Sequence, residues 1–123
     1  MTAKTAALVI GIVFIVVGIL GFVPNNPIVS ESGIFAVDTM HNLVHLISGI
    51  VLLAGVYSFG ASLALKIVGI VYAIVAILGF FLVGEDGMML GLIMVNEADK
   101  WLHVALAIVI LIAGFALPDD KMA

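Results

Sequence analysis

The chain has no cysteine and no arginine, and charged residues of any kind make up only 10% of it. Without cysteine there are no disulfides, no thiolate metal ligands and no thiol nucleophile. Four lysines against eight acids give a net charge of −4. No basic patch is available to neutralise phosphates, which excludes nucleic acid as a partner. No glycine-rich phosphate loop and no nucleophile elbow is present either. Soluble domains carry roughly a quarter charged residues, so this charge content points away from water as the solvent.

What fills the chain instead is hydrocarbon, at 65% hydrophobic residues. Four apolar runs stand out, at about 6–23, 39–58, 63–83 (with Lys66 near its start) and 97–116. A helix of about 20 residues covers about 30 Å, the thickness of a bilayer core. The expected fold is therefore all-α: four transmembrane helices in one domain over residues 1–123, with the lipid bilayer as its surroundings. Lys4 ahead of the first run could be read as the start of a signal peptide. The run is long for that and no small-residue cleavage site follows, so the first span is expected to be retained. Pro24-Asn-Asn-Pro27 ends the first run, Phe59-Gly-Ala-Ser62 forms a short turn, and Gly84-Glu-Asp-Gly87 breaks the third run. An apolar patch at Met88–Val95 then leads into the fourth.

The two halves of the chain align without a gap at the 58-residue offset that separates His45 from His103. Gly11-Ile-Val13 falls on Gly69-Ile-Val71, Ile19-Leu-Gly-Phe22 on Ile77-Leu-Gly-Phe80, and Gly33 and Val37 on Gly91 and Val95. Apolar bias produces chance matches among Ile, Val and Leu, but registered glycines and a registered histidine are harder to obtain that way. The reading is two tandem helical-hairpin repeats, at about 6–58 and 62–116. Each holds an even number of spans, so they share one orientation about a pseudo-two-fold axis along the membrane normal. Gly18 and Gly21, matched by Ala76 and Gly79, are expected at close helix contacts within the chain or in a homo-oligomer or membrane complex.

Orientation follows from lysine. With both termini cytoplasmic, Lys4, Lys66 and Lys121 lie inside and only Lys100 outside, as the positive-inside rule prefers. Both long connectors then face outward, in a multi-pass protein of the cell membrane. Trp101 and Lys100 fit interfacial anchors.

The polar residues of the spans gather at corresponding places. Asp38 and Asn96 are expected N-caps, each with outer contact to a metal as its second possible role, shared with Asn42. His41 and His45 lie one turn apart on a helix face, and at the 58-residue offset they fall on Asp99 and His103. Ionisable groups at that depth turn into the bundle and find partners. His41, His45, Asp99 and His103 therefore form one expected cluster towards the outer face. One reading is a site for zinc or another divalent first-row metal, which three imidazoles and a carboxylate suit. A second is a structural or assembly subunit in which the cluster is an interhelical hydrogen-bond network, with Asp99 accepting from a histidine. A third is a haem gripped by His45 and His103. A metalloprotease is excluded, because Asn42 stands where the general-base glutamate of a zincin helix belongs and cannot take a proton. Met88, Met89 and Met94 could suggest soft-metal binding, but their setting in an apolar connector makes packing or interfacial immersion the expected role.

The lines Leu20-Gly-Phe-Val-Pro24, Gly33-Ile-Phe-Ala-Val37 and His41-Asn-Leu-Val-His45-Leu-Ile-Ser-Gly49 resemble a family of small prokaryotic four-span membrane proteins of uncharacterised function. The resemblance covers nearly the whole chain. It implies a His-Asn-x-x-His segment in the second span, here His41, Asn42 and His45. It also implies an Asp-x-x-x-His segment in the fourth, here Asp99 and His103. It implies the architecture and assigns no reaction.

Overall fold

A backbone crossing hydrocarbon has to satisfy its own hydrogen bonds, and a helix does so within one segment. The computed structural model describes residues 1–119, and each of the four apolar runs is such a helix. They are α1 (Ala3–Leu20), α2 (Thr39–Ala54), α3 (Ala61–Phe81) and α4 (Glu97–Ala116). A π-helical turn, Gly55–Phe59, prolongs α2, so that this span has 21 residues. All four are long and apolar enough to cross a membrane, which makes the chain a multi-pass membrane protein. Lys121, on which the expected orientation partly leans, lies outside the described residues.

Boundaries differ from the sequence reading where one residue decides them. The turn expected at Phe59–Ser62 shrinks to Gly60, whose φ of 117° only glycine takes readily. The chain then re-enters a helix at Ala61. The apolar patch after α3 is not plain coil. It folds into a small antiparallel hairpin of β1 (Met88–Met89) and β2 (Ile93–Met94), with Met88 opposite Met94 and Met89 opposite Ile93. Its turn holds Leu90 at φ 56° and Gly91 at φ 69°, and the Leu92 N–H closes it onto the Met89 carbonyl at 3.0 Å.

The helices pack as two hairpins, α1 on α2 and α3 on α4, with α3 also meeting both α1 and α2. Lipid is as apolar as the side chains, so close packing rather than the hydrophobic effect drives this association. Small residues permit it. A Cβ on Gly49 would sit 2.7 Å from the Gly11 carbonyl oxygen and 2.6 Å from Ile15, so α1 and α2 approach nearly backbone to backbone there. Gly18 and Gly21 also turn towards α2, against Leu46 and Asn42, so their use is within the chain. In the second hairpin Gly69 meets Leu111, and in the first Gly11 meets Leu52 and Leu53.

The buried apolar core (Phe14, Leu52, Leu65, Val68, Tyr72 and Ile110, with seven alanines) occupies the centre and the end nearer the chain termini. There Ala3 donates to the Pro118 carbonyl at 2.9 Å, and Ser62 donates to Gly114 at 2.8 Å. Only about a third of each span is buried, and rows such as Ile12, Val16 and Ile19 or Ile108, Ile112 and Phe115 face outward. In water such a surface would aggregate. In a bilayer it is the lipid contact.

Candidate metal centre

The starts of α2 and α4 carry the polar residues of the bundle. Asp38 caps α2, accepting from the His41 N–H at 2.9 Å through Oδ1. Its Oδ2 accepts from the Met94 N–H at 3.2 Å, so one carboxylate ties the helix to the hairpin. Asn96 caps α4, accepting from the Asp99 N–H at 2.9 Å. Asp99 returns the contact by accepting from the Asn96 N–H at 3.0 Å, which completes a capping box. Asn96 also donates to the Ile34 carbonyl at 3.0 Å, joining the two connectors.

His41 in the first turn of α2 converges with His45 and His103, which lie one turn deeper. His41, His45 and His103 are 2–4% exposed, and one ring nitrogen of each lies within 4.8 Å of the other two. His41 stands between the others, its ring centroid 4.6 Å from that of His45 and 5.4 Å from that of His103. Phe14 and Tyr72 each set a ring against one histidine, Phe14 tilted at 38° to His45 and Tyr72 edge-on at 74° to His103, with the centroids 5.9 Å apart in both pairs. The two aromatic rings in turn touch at 5.1 Å. The Ser48 hydroxyl donates to the Val44 carbonyl at 2.7 Å, so the Tyr72 hydroxyl donates to Ser48 at 3.0 Å.

The hydrogen bonds fix one tautomer. His41 Nδ1 lies 2.6 Å from the Met94 carbonyl oxygen, which can only accept, so Nδ1 carries the proton and Nε2 keeps its lone pair. A backbone carbonyl on the distal nitrogen is the usual way a protein orients a metal-binding imidazole. His45 Nδ1 and His103 Nδ1 are buried without any hydrogen-bond partner. Leaving such an atom unpaired costs about 1–3 kcal/mol.

Of the four residues expected in the cluster, the group of converging ligand atoms contains His41, His45 and His103 and does not contain Asp99. Asp99 is buried at 1% exposure, but its carboxylate is engaged with the backbone of its own first turn. Asn42 is equally buried, with its Oδ1 unpartnered and set against Gly21. Sequence reasoning missed two contributors, the Met94 carbonyl and Tyr72. Tyr72 had a signal, since it lies at the 58-residue offset from Phe14. The hairpin that carries Met94 had none beyond Gly91.

A domain-family model matches residues 4–116, and its description is a domain of unknown function, DUF4383. The chain belongs to that family. No curated protein and no solved structure matches it. The DUF4383 chain is thus a four-span membrane protein of unknown role in which three buried histidines lie close enough to hold a metal ion.

Proposed function

We propose that this DUF4383 protein binds one first-row transition-metal ion through His41, His45 and His103, at the end of the bundle where the two connectors lie. The observation that carries the proposal is the pairing of convergence with hydrogen-bond poverty. Three ring nitrogens approach one point while two of the rings have buried, unpartnered Nδ1 atoms. A tetrahedral centre with bonds of about 2.0–2.1 Å holds its nitrogens about 3.3–3.4 Å apart. Nitrogens that lie within 4.8 Å of one another have to close by up to about 1.4 Å to reach that spacing.

The competing hydrogen-bond network needs partners for these rings. Among the described residues the His41–Met94 bond is the single one they make, and Asp99 accepts from backbone rather than from imidazole. Haem is disfavoured by space. The cavity at the histidines is about 190 Å³, below the roughly 300–1,000 Å³ that drug-sized ligands occupy. His41 also stands against both would-be axial ligands.

The two hairpins, read as tandem repeats of one orientation, place His45 and His103 at equal depth. The equal centroid separations of Phe14 from His45 and of Tyr72 from His103 support that reading. With cytoplasmic termini, the site belongs to the outer leaflet side. Elemental analysis of protein purified without chelators tests the proposal. One equivalent of a transition metal is expected in the native chain and less than a tenth of that in His45→Phe and His103→Phe. A metal-free native protein that also fails to take up added metal would end it.

A further inference from the structure

The expectation of zinc leaned on a carboxylate among the ligands, and that carboxylate is committed elsewhere. Asp99 closes its capping box, and both oxygens of Asp38 hold backbone N–H groups. What the histidines share instead is a cavity with Met89. It is lined by His41, His45, His103 and Met89, with aliphatic walls from α2, α3 and the hairpin and Tyr72 at one side. Met89 is 4% exposed.

We propose that the ion is copper(I), with the Met89 thioether as its fourth ligand. This rests on the three-histidine reading and narrows it. Charge is the first argument. Three neutral imidazoles and a thioether cancel none of an ion's charge, and the walls are apolar. The penalty for removing an ion from water grows with the square of its charge, so a monovalent ion suffers a quarter of what a divalent one does. Softness is the second. Thioether ligands select copper(I), and imidazole serves it as well as zinc.

Placement of Met89 is the third argument. The hairpin is clamped to the first turn of α2 through both backbone groups of Met94, its N–H to Asp38 and its carbonyl to His41. One strand over, Met89 pairs with Ile93 beside the cavity, and the chain turns back at once through Leu90 in the left-handed region that L-residues avoid. Met88 pairs with Met94, is partly exposed and is not among the cavity residues, so it serves as an internal control.

The test uses the full chain in detergent, stripped of metal and kept anaerobic. Copper(I) is titrated against a chromogenic copper(I) chelator and zinc(II) against a zinc chelator, in the native chain, Met89→Leu and Met88→Leu. Leucine conserves volume at this position, and a thermal melt within a few degrees of the native chain checks the fold. Expected are one copper(I) per native chain bound more tightly than zinc, at least a tenfold loss of copper(I) affinity in Met89→Leu, zinc affinity unchanged within twofold, and no effect of Met88→Leu. Copper(I) affinity unchanged in Met89→Leu, or zinc bound as tightly as copper(I) by the native chain, overturns the assignment and leaves the histidine site standing. Failure of both metals to bind removes the histidine site as well.

Discussion

The α1–α2 hairpin and the α3–α4 hairpin each set an aromatic ring against a histidine, at one separation and at different angles. In one, Phe14 lies tilted at 38° to His45; in the other, Tyr72 meets His103 edge-on at 74°, with the centroids 5.9 Å apart in both. One turn nearer the connectors the two part company. His41 reaches across to the Met94 carbonyl of the opposite half, whereas Asp99, at the corresponding place, bonds to the backbone of its own helix. The connectors differ too. The first is organised by Asn26, which donates to the Leu20 and Val29 carbonyls, while the second forms the hairpin over the histidine cavity. Each hairpin supplies one of His45 and His103, and the third histidine of the group, His41, comes from the position where the two differ. On the proposed reading, His41 turns a two-imidazole site into a three-nitrogen one.

Removing either matched histidine should have the largest effect. His45→Phe and His103→Phe are both expected to weaken metal binding by more than about 100-fold, and by similar factors, since each takes away a direct ligand. A titration in which one of them keeps native affinity would break the equivalence of the two hairpins. Next comes Asp38→Ala, which releases the His41 N–H and the Met94 N–H together. Loss of an orienting contact costs about tenfold in metal affinity. Loss of the cap costs about 1 kcal/mol of stability. Both are measurable on the same purified variant, by metal competition and by thermal unfolding.

Asp99→Ala sharpens the contrast between the diverged positions. It should lower stability by about 0.5–1 kcal/mol through the capping box and leave metal affinity within about threefold, because Asp99 acts on the backbone. A loss of metal comparable with that of His41→Phe would return Asp99 to the ligand set. The smallest effect on metal binding is expected from Tyr72→Phe, which gives both histidines a phenylalanine neighbour. It removes one buried hydrogen bond, about 0.5–1.5 kcal/mol, while Ser48 keeps its bond to Val44. An unchanged melting temperature there would mean that the Tyr72 hydroxyl contributes nothing to holding α3 against α2.

Much of this was legible in the sequence because it is local or periodic. Spans announce themselves by apolar length, and Asp38 and Asn96 by short acceptor side chains at a change of composition. The spacing of His41 and His45, and the offset to His103, located the centre before any coordinates. At Asp99 two properties compete. Its offset from His41 argued for the cluster, but Asn96 three residues earlier offered a partner at no conformational cost, and the local contact prevailed. The hairpin that carries Met89 and Met94 was hidden for another reason. A two-residue strand has no periodicity to detect, and Leu90 in a left-handed turn contradicts the usual turn chemistry. What the sequence could not carry was the third dimension of the connector, and that is where the tautomer of His41 is decided.

The central claim is that three imidazoles from α2 and α4 hold one ion. X-ray absorption spectroscopy at the edge of the bound metal measures this directly. The account predicts three nitrogen scatterers at about 2.0–2.1 Å with the outer-shell pattern of imidazole rings, reduced to two in His41→Phe. A shell of oxygens alone, or one imidazole in the native protein, would contradict it.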